Sequence, residues 1–202
     1  MYAIVEDNNI TKFINHPKSL VIGDVRYPAK IFSVWSASEL NAIGIYEVVF
    51  DNSNKKDEKW YINTNQSYDF DGNEVTASYG TATPKAHADT LWTAQDETDG
   101  KGTEGEVATR GLKYNLIQTV KKQAAEILQD TDWYIVRKAD AGTSVPSAIT
   151  THRAAVRTKA AQMETAITNA ANTPALETLY TYTTNEAGVT SRPLGELPTL
   201  ES

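Results

Sequence analysis

The chain has 202 residues, 40% of them apolar and 22% charged, with a formal net charge of −7 and no cysteine. This is the composition of a globular protein with generous loops; it excludes disulfides, thiol catalysis and Cys-based zinc sites. The acidic balance opposes binding to a phosphate backbone, no apolar run approaches the roughly 18 residues of a membrane span, and MYAIVEDNNI lacks the basic-then-apolar layout of a secretory signal, so the expected partners include neither nucleic acid nor membrane.

The first 80 residues read as short strands. YAIV (2–5) and ITKFI (10–14) flank the turn-rich quartet Glu6-Asp7-Asn8-Asn9, which predicts an opening hairpin. SLVI (19–22) and VRYP (25–28) flank Gly23-Asp24, a two-residue hairpin loop. Ser36-Ala37-Ser38-Glu39 fits a capping box, in which the Ser36 hydroxyl accepts from the Glu39 N–H while the Glu39 carboxylate reaches back. A short helix to about Ala42 should follow, with Gly44 as its left-handed stop. IYEVVF (45–50) is the strongest strand, being dominated by β-branched and aromatic residues. After the solvated run DNSNKKDEKW, strands around Ser67–Phe70 and Glu74–Tyr79 are joined through Asp71-Gly72-Asn73. Asp69 and Asp71 suggest calcium, but the glycine comes too early for an EF-hand loop and no glutamate holds the bidentate position. A plain hairpin turn is the better reading.

From Thr81 to Arg110 the character changes. TATPKAHADTLWTAQ has room for one short helix, and DETDGKGTEGE (96–106) is acidic, glycine-rich and without apolar periodicity, which reads as a flexible linker or extended arm. Leu112, Leu116, Val120, Ala124 and Ile127 then recur at three or four residues and define one face of a helix over about 111–129. A second, short helix over about 133–140 carries Trp133 and Val136. Pro146 opens a third, to about Ala171, with Ile149, Val156, Ala160, Met163 and Ile167 as its buried face. Thr173-Pro174 should cap a last helix, ALETLY, before a polar tail punctuated by Gly188, Pro193, Gly195 and Pro198. The expected fold is α+β: a small antiparallel β module with one short helix (1–80), an arm (81–110), a helical hairpin domain (111–182) and an extended tail (183–202).

His16, His87 and His152 lie in three separate segments with no ligand-like spacing, and His152, beside Arg153, reads as a surface residue. GxSxG, HExxH, a phosphate-binding glycine loop and GxGxxG after a strand are all missing from the sequence. The expectation is therefore no enzyme, no metal and no cofactor. Arg153 and Arg157, four residues apart, share a helix face. They serve either as a docking pair for an acidic partner surface or as ion-pair partners of Asp130, Asp132 or Glu126 across the hairpin; the second reading is preferred. Trp133 reads as a core anchor rather than an exposed contact residue.

Two blocks carry a resemblance. IGIYEVVFDNSNKKDEKWYINTNQSYDFDGNEVTASYG resembles an element common in tail-fibre-associated proteins of tailed bacteriophages. LQDTDWYIVRKADAGTSVPSAITTHRAAVR resembles the C-terminal helical element of phage tail fibre proteins and their assembly chaperones. The matching positions of the second block are Leu128, Thr131, Asp132, Trp133, Pro146, Arg153 and Arg157; His152 stands where an aromatic is usual and Val156 where leucine is usual. The resemblance covers about a third of the chain. It implies a virion component of the tail or fibre attachment region, made in the host bacterial cytoplasm, that docks to other phage tail or fibre subunits and repeats as a homo-oligomer in a symmetric assembly. It equally suits an assembly chaperone. A receptor- or polysaccharide-binding fibre protein, with Trp35, Trp60 and Trp92 as aromatic platforms, is the third reading.

Overall fold

The computed structural model describes residues 1–200 and shows a mixed α+β protein with a curled sheet and seven helices. The chain divides into two compact units, one from Met1 to Thr83 and one from Pro84 onward.

In the first unit, β1 (Tyr2–Glu6) and β2 (Asn9–Ile14) form the opening hairpin. Asp7 and Asn8 supply the two positive φ angles, 50° and 62°, that a tight hairpin needs; Asn and Asp tolerate that region best among side-chain-bearing residues. A second hairpin, β3 (Leu20–Ile22) with β4 (Val25–Tyr27), turns at Gly23. Two short helices follow, α1 (Ile31–Val34) and α2 (Ala37–Asn41), the latter opened by the expected capping box: the Glu39 N–H donates to Ser36 Oγ (3.3 Å) and the Ser36 N–H to Glu39 Oε2 (2.7 Å). Gly44 ends this segment at φ 78°. A Cβ there would lie 2.7 Å from the Val5 carbonyl oxygen, so both the backbone angle and the close strand approach call for glycine.

β5 (Ile45–Asp51), β6 (Tyr61–Ile62), β7 (Gln66–Phe70) and β8 (Val75–Tyr79) complete the unit, and the chain leaves it through β9 (Thr83–Pro84). The five-stranded sheet has the order β2-β1-β5-β8-β7. It is not purely antiparallel, as the sequence suggested: β5 and β8 run parallel, with Val48 opposite Val75 and Phe50 opposite Ala77. The chain passes β5, returns along the sheet edge as β7, and the tight Asp71-Gly72-Asn73 turn folds β8 back between β7 and β5. A strand inserted in that way must run in the direction of β5. The sheet curls until its edges meet, where the Phe13 and Tyr68 rings pack at a tilt of 48° with centroids 4.4 Å apart. Because strand side chains alternate, each face has its own core. Ile4, Ile14, Leu20, Ile31, Leu40 and Ile45 lie on one side, and the smaller Ala3, Val5, Val48, Val75 and Ala77 on the other.

The second unit does not begin with a loose arm. Residues 84–111 hold β10 (Thr90–Leu91), α3 (Ala94–Thr98) and β11 (Val107–Thr109), and their ends are tied to the helices. Asp89 accepts from the Gly111 N–H (2.8 Å) and from Arg110 Nη1 (2.6 Å), which together hold its carboxyl below the ordinary aspartate value. Gly111 itself faces the Ala88 backbone too closely for any Cβ. The acidic, glycine-rich run owes its order to the Thr93–Asp96 capping box and to Lys101, whose ammonium lies 3.0 Å from both Asp96 and Asp99.

α4 (Leu112–Gln129), α5 (Asp132–Ala141), α6 (Ser147–Asn169) and α7 (Thr173–Tyr180) form the helical part. α4 and α6 run antiparallel: Lys113 Nζ donates to the Thr168 carbonyl (2.8 Å), Lys121 pairs with Glu164 (3.6 Å), and Arg153 reaches the Leu128 carbonyl (2.7 Å). Leu116, Val120 and Ala124 are buried on α4, and all five expected positions of α6, Ile149, Val156, Ala160, Met163 and Ile167, are buried as well. The cap of α7 is Asn172, whose Oδ1 accepts from the Ala175 N–H (2.9 Å), and not Thr173. Thr173 is 2% exposed and donates its hydroxyl to the Lys85 carbonyl (2.6 Å), so it is committed to a long-range contact instead. In the tail, β12 (Thr183–Thr184) and β13 (Thr190–Ser191) pair, and Leu194 is buried, its N–H donating to the Leu179 carbonyl (3.0 Å).

Candidate interaction surface

The corner between α4 and α5 explains one arginine and frees the other. An α-helix ends with carbonyls that have no partner within it and with a negative dipole end. Arg153 meets both needs from across the hairpin. Its Nη1 donates to the Leu128 carbonyl (2.7 Å) and to Thr131 Oγ1 (2.6 Å), and its Nη2 pairs with Asp132 (2.8 Å). Thr131, 2% exposed, passes the network on by donating its own hydroxyl to Leu128 (3.0 Å). Arg153 is 7% exposed and serves as a buried cap of α4, so of the expected acids only Asp132 answers it. Arg157 is exposed and makes no hydrogen bond or ion pair among the described residues. His152 was expected at the surface; it is buried, because it lies one residue from Arg153 on the arc of α6 that faces α4.

Trp133 is a correction of the opposite kind. It is 59% exposed and anchors no core. α5 buries none of its residues. It is held by the corner at Thr131 and by Gly142, which takes the left-handed cap (φ 68°) and donates to the Lys138 carbonyl (3.1 Å). Ile135 and Val136 are also exposed, and the Arg137 guanidinium lies over the Trp133 and Tyr134 rings at 5.0 and 5.5 Å.

The outer face of α6 is a second uncharged surface of this unit. Thr151, Ala154, Ala155, Thr158, Ala161, Gln162 and Thr165 all face solvent and none is charged. The hydroxyl of Thr165 donates back to the Ala161 carbonyl (2.9 Å), so its outward group is a methyl. Arg157 and Glu164 flank the face on one side. The sequence did hold a signal for it: small neutral residues at 151, 154, 158, 161 and 165 repeat at three and four, interleaved with the buried series.

Among the described residues no group of three or more His, Asp or Glu side chains is placed to hold a metal ion, and no helix is long and apolar enough to cross a membrane. Comparison of the chain with protein-family models, with curated proteins and with solved structures found no match in any of the three.

Proposed function

We propose that this protein is a structural subunit of a tailed bacteriophage, a tail or fibre-attachment component that works by non-covalent docking to other tail or fibre subunits and to copies of itself. In this reading it combines a β module with a helical hairpin that carries the contacts. The observation that carries the docking part is the uncharged outer face of α6, a 23-residue helix, together with the exposed Trp133, Ile135 and Val136 of α5. The alanines and threonine methyls of such a face let a second helix approach closely, and burying them against it is favourable. Two copies of α6 laid antiparallel and centred between Ala160 and Ala161 bring Arg157 of each beside Glu164 of the other, both pairs on the same edge, which gives the otherwise unanswered Arg157 a partner. The phage assignment rests on the resemblance of residues 128–157 to tail fibre proteins and assembly chaperones.

Mass spectrometry of purified virions tests the assignment. Stoichiometric presence of the chain is the expected result; its absence from virions, despite expression in infected cells, overturns the structural role in favour of an assembly chaperone. Release of reducing sugar from host polysaccharide would contradict a role without catalysis.

A further inference from the structure

A second feature, on the first unit, goes beyond that reading. We propose that Tyr2, Phe32, Trp35 and Glu47 form a binding site for an organic cation. The β1–β5 register places Tyr2 directly opposite Glu47, so their side chains emerge together on the face that also carries Ile4 and Ile45. α1 brings Phe32 onto the same face, and the turn after it brings Trp35. The Tyr2 and Phe32 rings lie 4.8 Å apart and are tilted by 48°, and Trp35 is held from behind by an edge-on contact with Tyr27 at 5.8 Å. These three rings border the buried cluster of Ile4, Ile14, Leu20, Ile31, Leu40 and Ile45 but are only partly buried themselves. Between them is a cavity of about 130 Å³, with Leu40 and Asn41 on its α2 side and Glu47 at its mouth.

The chemistry of the walls selects the ligand. Aromatic faces are negative, and they attract a cation most when the cation is partly desolvated. Glu47 adds a full negative charge; it is exposed and makes no hydrogen bond or ion pair with any described residue. An apolar guest would fill the cavity equally well but would leave this carboxylate without a role, and an anion would be repelled by it and by the net charge of −7. A compact, weakly hydrated cation satisfies rings and carboxylate together. Quaternary ammonium and guanidinium groups both have that character, the first from a free small molecule and the second from an arginine side chain presented by a partner.

The test is a titration followed by ¹H–¹⁵N correlation spectra, with the Trp35 indole N–H assigned through Trp35→Phe. Choline chloride and Nα-acetyl-arginine amide are the two probes, and 3,3-dimethylbutanol, the neutral isostere of choline, is the control. The expected result is a saturable shift of the Trp35 indole signal by at least one cation, with the neutral isostere binding about tenfold or more weakly. Glu47→Gln should weaken the cation by about tenfold, and Glu47→Lys should remove the shift, each with the rest of the spectrum unchanged. Tighter binding of choline identifies a free ammonium as the source, and tighter binding of the arginine amide a partner side chain. Absence of a saturable shift with either cation, or equal binding of choline and its neutral isostere, overturns the proposal.

Discussion

Arg153 and Arg157 differ by one helical turn and serve opposite purposes. Removing Arg153 empties a buried corner: it takes two charged donor bonds from the Leu128 carbonyl and Thr131 Oγ1 and leaves the exposed Asp132 without its partner. Arg153→Ala should therefore cost about 2–4 kcal/mol in urea-induced unfolding, whereas Arg157→Ala should stay within about 0.5 kcal/mol; equal effects would contradict the assigned roles. The distinction was partly present in the spacing. Arg153 falls in the series Ile149, Val156, Ala160, Met163, Ile167 at steps of three and four, and Arg157 falls outside it. Trp133 carried no such signal. Tryptophan is usually buried, and only the orientation of α5 on its corner, set by Arg153 and Gly142, turns it outward.

At the scale of single elements, short-range signals carried well and pairings did not. The capping box at Ser36, the proline start of α6 and the hairpin turns depend on neighbours within four residues; the Thr93–Asp96 box is equally local, but it escaped the reading of 96–106 as an arm. The Thr93–Asp96 box also predicts a pH effect. The Thr93 hydroxyl, the Thr93 N–H and Lys101 lower the Asp96 carboxyl from 3.8 to about 2. A carboxyl depressed in the folded state contributes stability that is present above its unfolded value, and that contribution is lost as pH falls through the folded one. Protection of the Thr93 amide from hydrogen exchange should hold as pH drops through 3.8 and fall only near 2; in Asp96→Asn it should be weak at every pH. Packing of α6 gives a second test. Ile167 is fully buried, and Ile167→Ala should cost about 2–5 kcal/mol, read from the urea midpoint at unchanged slope. Its burial was legible from periodicity, whereas the parallel run of β8 beside β5 was not, because strand order follows from where the chain returns rather than from any local pattern.

For the whole molecule, the docking reading makes one further demand. Ala161→Glu places a charge in the middle of the uncharged α6 face, at an exposed position. Sedimentation should show a self-associating wild-type chain and a monomeric variant, with thermal unfolding of the monomer shifted by no more than about 0.5 kcal/mol; a variant that still associates would place the contact elsewhere. Periodicity and turn chemistry act over a few residues, and they sufficed to place the main strands and turns of the first unit, the Ser36 cap and the buried face of α6, but not the caps at Thr93 and Asn172. The insertion of β8, the burial of His152, the exposure of Trp133 and the closure of residues 84–111 by Asp89 on Arg110 and Gly111 came from tertiary packing. Each of these depends on groups far apart in the chain, as with Thr173 and the Lys85 carbonyl, 88 residues away, and no local pattern records which distant group will answer.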